Sequence, residues 1–412
     1  MKAFVFTEKG KIEEKQLPEV RLNEELEEDS YAAILKPLYV SPCSSDVHTV
    51  FAGAGPRRAD LILGHEGIAE VTAVGSEVKD FKAGDIVAVC AVMPEPGDIA
   101  GHKGMPFSAT KLGRNIDGMW AERFKVPMAD INLANIPDGL SMEAALMAVD
   151  MMATGFTAAE EADIEEGMSV LIIGSGAVGL MAAAGAMQNG AWRTYVIGTD
   201  KSTVNIDAAA AFGADAYISY RDGHLIFADD EAKEAFSEWE SLKIPHKDPR
   251  ANSVGSKAVD TVFALTRGEG VDRVLICGGG HEALAEACDC VKYGGGTVVN
   301  VSYIEGSDSI GLPIFSLGRG MSGKNFKFCL SRGGRAWTEK MLNIAWDREK
   351  NQNTQPDLYE NTDNVNNIKS EEQSPGRLVT HRLYGFDSIP EGLRLMHERP
   401  AGLIKIMIET GL

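Results

Sequence analysis

Four residues set far apart in this 412-residue chain carry the donor atoms of a metal site: Cys43, the adjacent pair His65-Glu66, and Asp150. A thiolate, an imidazole and two carboxylates are ligand types that close a tetrahedral zinc site. None belongs to a tight pair of cysteines, and ligands drawn from distant segments suit a catalytic ion better than a structural one. Cys43 opens the run Cys43-Ser44-Ser45-Asp46-Val47-His48, which adds a hydroxyl two residues on and an imidazole three beyond it. A metal that acidifies an alcohol, beside a route for the released proton, implies alcohol oxidation or carbonyl reduction. Taken singly, a cysteine is more often core than ligand, and an aspartate at a helix start is more often a cap. The set points to zinc.

A second constellation is Gly174-Ser175-Gly176-Ala177-Val178-Gly179. It follows the apolar run Ser169-Val170-Leu171-Ile172-Ile173 and precedes an alanine-rich segment ending near Gln188. In that strand–turn–helix setting the glycines admit a pyrophosphate, and the helix N-terminus offers it free N–H groups. The next strand, Thr194 to Ile197, ends in Gly198-Thr199-Asp200-Lys201. Asp200 suits a ribose 2′-hydroxyl and repels a 2′-phosphate. Gly198 leaves room for that phosphate, Thr199 donates to it and Lys201 neutralises it. The residues therefore leave NAD and NADP both open. Tyr220 is a further candidate on the cofactor side.

These sites require two kinds of scaffold. From residue 1 to about 150 the chain reads as short strands and turns, among them Ala32–Leu38, Gly67–Gly75 and Ile86–Val89, which predicts a β-rich domain. Beyond Asp150, apolar strands alternate with helices, the pattern of a buried parallel sheet. The segments near 227–257, with Trp239, and 347–374, with six asparagines, interrupt the pattern and read as surface insertions, the second as a loose loop. Trp239 makes the first a candidate subunit contact.

A net charge of −20 argues against nucleic acid. With 44% hydrophobic and 24% charged residues the composition is that of a soluble protein. Met1–Phe6 is too short an apolar run for a signal peptide, and no membrane span is expected. The six cysteines form no disulfide framework, so a cytoplasmic location is expected. Cys288 and Cys290, two apart in an expected helix, face different sides and make no redox pair. His102, His224, His246, His281, His381 and His397 lack metal spacing and default to structural roles.

The chain resembles the zinc-dependent medium-chain alcohol dehydrogenases, and within them the bacterial secondary-alcohol branch. The resemblance rests on Cys43–His48, Gly64-His65-Glu66, Gly75, Gly84-Asp85, the 174–179 turn and Tyr293-Gly294-Gly295-Gly296. More specific are Val40-Ser41-Pro42-Cys43, His48-Thr49-Val50-Phe51, Asp150–Phe156 and Leu378-Val379-Thr380-His381. It implies an α/β fold: a doubly wound Rossmann domain at 153–302, and a β-rich GroES-like catalytic domain at 1–152 that returns at 303–412. It implies that Cys43, His65 and Asp150 hold one catalytic zinc, with Glu66 a fourth ligand when substrate is absent. Asp46 would orient the metal-bound histidine, and Ser45 and His48 would relay the proton by way of the cofactor ribose. Arg377 would lie near the pyrophosphate. The cofactor would be NADP, with Asp200 standing where an arginine is common as the contrary sign. The partner is a small alcohol or ketone, and the assembly a homotetramer. Only Cys90 stands where relatives carry four cysteines, so no structural zinc is expected. A pocket tryptophan of the branch falls at Thr110. This leaves as alternatives a polyol dehydrogenase of the sorbitol or butanediol kind and, further off, a non-catalytic nucleotide-binding relative.

Overall fold

A computed structural model describes residues 1–52, 60–94, 111–242, 252–304, 309–350 and 373–412. The chain divides into two compact units, Met1–Ala153 with Arg332–Leu412, and Thr154–Ser331.

The first unit is built on a largely antiparallel sheet. Its strands run in the order Val379–Tyr384, Lys405–Glu409, Ala33–Ser41, Glu66–Val74, Ile86–Val89 and Leu133–Asn135, with Phe124–Val126 also paired to Ala33–Ser41. Alternating apolar residues from these strands, including Leu35, Val40, Val71, Val87, Ile406 and Ile408, enclose a core with the buried rings of Trp120 and Phe124. Each such buried aliphatic contributes about 1.5–3 kcal/mol, so strand register is strongly held. That register places the chemistry. Ser41 stands opposite Glu66, so Cys43, two residues past the strand end, lies beside the start of Glu66–Val74. Val40 stands opposite Ile408 in the antiparallel pair, so the same register carried on brings Lys405 level with Cys43.

The second unit holds a sheet in the order Leu225–Phe227, Ala216–Ser219, Arg193–Gly198, Ser169–Ile173, Arg273–Ile276, Thr297–Asn300 and Asn325–Phe328. All neighbours are parallel except the first pair. Numbered along the chain, the six parallel strands run 3-2-1-4-5-6, the doubly wound order whose reversal point forms a nucleotide crevice.

The return to the first unit comes at Arg332, and not at 303 as the sequence reading has it. Asn325–Phe328 is a sixth parallel strand, hydrogen-bonded to Thr297–Asn300. It is an edge strand with no fully buried residue, so it lacks the apolar run that marks the central strands. The insertion near 227–257 lies at the surface, its helix having no buried residue. It contributes the strand Leu225–Phe227 and the helix Asp230–Ser241. Trp239 is half-buried, its ring 4.1 Å from the Arg267 guanidinium and 5.8 Å from Phe236. The asparagine-rich insertion lies almost wholly in 351–372, outside the described residues. Among the described residues no helix is long and apolar enough to cross a membrane.

Candidate metal centre and dinucleotide site

Cys43, His65, Glu66 and Asp150 converge in the first unit, with one ligand atom from each lying within 4.8 Å of all the others. Cys43 is the N-cap of the short helix Ser44–Val47. Asp150 sits in the π-helical turn Ala148–Met152, a wide-turn geometry frequent at functional sites. The Cys43 Sγ lies 3.7 Å from Asp150 Oδ2. The His65 Nε2 faces Asp150 Oδ2 at 3.8 Å, Glu66 Oε1 at 4.0 Å and Ser45 Oγ at 3.3 Å.

Asp46 ties two of these residues together. Its Oδ2 accepts a 2.9 Å hydrogen bond from the Cys43 N–H, and its Oδ1 lies 3.5 Å from His65 Nδ1. The carboxylate thus turns Nε2 toward the cluster. His48 is half-buried and begins the π-helical turn His48–Ala52 directly after the helix that carries Ser45 and Asp46.

The electrostatics are set by burial and by the crowding of like charges. Burial pushes the Cys43 thiol up, and the Glu66 and Asp150 carboxylates push it further. Burial also pushes Glu66 up, to about 7, against the pull of Lys405. For His65, burial favours the neutral ring, but the Asp46 and Asp150 carboxylates outweigh it and hold the imidazole well above its ordinary range. A thiolate and carboxylates crowded into one buried cluster repel one another, and a divalent ion bound to them and to the neutral imidazole would relieve that repulsion. The donor set fits zinc. Among the described residues this is the one cluster of its kind.

Lys405 is the residue that sequence reasoning misses. It is wholly buried, and its ammonium lies 2.8 Å and 2.6 Å from the two oxygens of Glu66, itself wholly buried. The signal available was a lysine inside the apolar run Leu403-Ile404-Lys405-Ile406-Met407-Ile408.

Cys90 is a core thiol that accepts a hydrogen bond from Thr338 Oγ1 at 3.2 Å and is pushed by burial up to about 12. Thr110, His102 and His246 lie outside the described residues. Cys288 and Cys290 are buried in the helix Glu282–Cys290.

In the second unit, Gly176 is the N-cap of the helix Ala177–Gln188, so the glycine turn connects strand to helix as expected. Gly179 is there for contact. A Cβ on it would come 1.8 Å from the Gly174 carbonyl oxygen, so the turn closes only without one. Gly179→Ala should therefore cost about 1–3 kcal/mol of stability or more and abolish cofactor binding in calorimetric titration, with zinc content unchanged. Cofactor affinity equal to wild type would contradict this.

Gly198 corrects an expectation. The space beside it is not free for a phosphate, since a Cβ there would meet Ser175 Oγ at 2.1 Å and Tyr217 Oη at 2.2 Å. The Tyr217 hydroxyl lies 2.9 Å from Ser175 Oγ and 2.8 Å from the Thr199 carbonyl, joining the glycine turn to the second strand. Beyond that strand a cavity of about 630 Å³ is lined by Thr199, Asp200, Lys201, Tyr220 and Arg221, with Lys257 and His281 across it. Nothing local in the sequence marks Arg221 and His281 for this cavity. The register Ser219 opposite Gly198 puts 220–221 beside 199–200. Arg377 lies in the first unit, in the 3-10 turn Pro375–Leu378.

Residues 29–138 match the family model for the alcohol dehydrogenase GroES-like domain. The chain is 38% identical over 385 residues to the NADP-dependent isopropanol dehydrogenase of Clostridium beijerinckii, covering 92% of this chain and 93% of the relative. It is 36% identical over 384 residues to the enzyme of the same name from Thermoanaerobacter brockii, covering 92% of each. The fold matches that of the alcohol dehydrogenase TADH from Thermus sp. ATN1 with a TM-score of 0.71 at 24% identity, over 100% of both chains. The chain belongs to the zinc-dependent medium-chain alcohol dehydrogenase family.

Proposed function

We propose that this protein interconverts secondary alcohols and ketones with NADP(H), using one zinc ion held by Cys43, His65 and Asp150. The observation that carries the reading is the convergence of those three donors, with Glu66, in one buried cluster. Substrate class and cofactor follow the two relatives, both named as NADP-dependent isopropanol dehydrogenases and both matched over more than nine tenths of their length.

Bound zinc supplies a Lewis acid that acidifies the alcohol or polarises the ketone. A bound nicotinamide cofactor would supply the hydride chemistry, and the protein contributes position and charge. Asp46 sets the His65 tautomer, leaving Nε2 for the ion. Ser45, whose hydroxyl touches the His65 ring, accepts the alcohol proton as it passes its own on toward His48. His48, half-buried at the start of the next turn, hands it to solvent. On the cofactor side, the turn from Gly174 through Gly176, Ala177 and Val178 to Gly179 receives the pyrophosphate. Gly198 holds Ser175 and Tyr217 in place, while Thr199, Asp200, Lys201 and Tyr220 face the adenosine half.

A homotetramer with no nucleic-acid or membrane partner completes the proposal. The edge strand Asn325–Phe328 and its surroundings expose Phe315, Met321 and Phe328, the kind of apolar edge that another copy would cover. The six free thiols suit a reducing cytoplasm.

The test is a set of initial rates with 2-propanol, 2-butanol and sorbitol, each with NADP and with NAD. The proposal expects secondary alcohols with NADP to be turned over fastest. Turnover confined to sorbitol would instead support the polyol reading, and none with any substrate would remove the enzyme reading.

A further inference from the structure

Lys405 is a cation placed where the metal chemistry has no direct use for one. It begins the strand Lys405–Glu409, is fully buried, and sits level with Cys43 through the register of that strand on Ala33–Ser41. Its ammonium has three N–H donors. One donates to Glu66 Oε1 at 2.8 Å and another to the carbonyl of Pro42 at 3.4 Å, one residue before the thiol ligand, while Glu66 Oε2 stands 2.6 Å away as an ion-pair contact. A buried lysine so enclosed cannot swing to water, and its carboxylate partner is held with it.

Charge and ligand count give this pairing a consequence. Cys43 as thiolate and Asp150 as carboxylate balance a divalent ion. A third anion from Glu66 would leave the centre with an excess negative charge, and with His65 it would make four protein ligands, the closed arrangement of structural zinc. A catalytic zinc keeps three protein ligands and one open position. We infer that Lys405 is a positioning residue that withholds Glu66 from the metal, neutralising its charge and keeping the centre three-liganded. The inference rests on the zinc dehydrogenase reading above and goes beyond it, in assigning to residue 405 control over how tightly the centre is closed.

The test compares zinc removal by a chromogenic chelator from the wild-type holoprotein, Lys405→Met, and the double variant Lys405→Met with Glu66→Gln. Without the ammonium, Glu66 is free to bind the ion, so Lys405→Met should release zinc at least about tenfold more slowly, a change of the size that outer partners of metal ligands exert. The double variant keeps a neutral pair of similar volume but has no fourth anionic ligand, and should return to within about threefold of wild type. Circular dichroism reports folding for each. Release from folded Lys405→Met at the wild-type rate or faster would overturn the inference, as would a double variant that stays slow. Should Lys405→Met alone fail to fold, the double variant decides. One zinc per chain with near wild-type release supports the withheld ligand, whereas loss of zinc marks Glu66 as a standing ligand and overturns it. A wild-type protein purified without zinc would remove the underlying reading instead, a result distinct from any of these.

Discussion

Replacing Cys43 by serine should strip the purified protein of zinc and lower secondary-alcohol turnover more than about 100-fold, beyond what loss of an outer partner usually costs. The thiolate is the softest donor in the cluster and the one least replaceable by a hydroxyl, which stays protonated near neutral pH. Its position is set by local structure that serine preserves. The Cys43 N–H still bonds Asp46 Oδ2, as it does at 2.9 Å in the wild-type chain, and the strand Ala33–Ser41 still delivers the residue to the cluster. The fold should therefore survive, and the defect should appear in metal content before it appears in thermal stability. Metal analysis and initial rates on the same preparation check this. A Cys43→Ser protein that holds one zinc per chain and keeps its activity would show that the cluster is not the catalytic centre.

Arg221→Ala should lower kcat/KM for NADP by about 10–100-fold, the range of a charged hydrogen bond, and for NAD by less than about threefold. The cavity beyond the second strand holds Asp200, whose carboxylate opposes a 2′-phosphate. If NADP is the cofactor, nearby cations must outweigh that carboxylate. Arg221 is brought beside residues 199–200 by the parallel register of Ser219 with Gly198, and a planar guanidinium pairs with phosphate oxygens in a way that a lysine does not. Asp200→Asn should shift preference further toward NADP. Rates with both cofactors on the three proteins decide the matter. An equal fall for NAD and NADP in Arg221→Ala would give the arginine a structural role. A wild-type preference for NAD would mean that Asp200 governs the site.

How much of this is legible in the sequence depends on the range of the interaction. The glycine turn at 174–179 is local: strand, turn and helix lie within a score of residues, and the glycine at 179 is dictated by an oxygen five residues away. The proposed ligands Cys43, His65 and Asp150 are distant in sequence but distinctive in type, so their side-chain chemistry can be read before their geometry is known. Lys405 could not be placed that way. Its partner Glu66 lies 339 residues away, and a single lysine in an apolar strand does not say which carboxylate it meets. Gly198 shows the opposite failure. Its lack of a side chain reads as room for a ligand, but tertiary packing of Ser175 and Tyr217 uses that room. Asn325–Phe328 escapes notice because an edge strand need not bury both faces, so the apolar run that betrays the central strands is missing.

The central claim, that the cluster of Cys43, His65 and Asp150 is a zinc centre on which alcohol oxidation depends, is tested most directly by following zinc content and NADP-dependent 2-butanol oxidation together as a chelator is added and zinc is then restored. The account predicts one catalytic zinc per chain, activity that falls in proportion to the zinc removed, and recovery when zinc is returned. Activity that persists after all zinc has gone would contradict it.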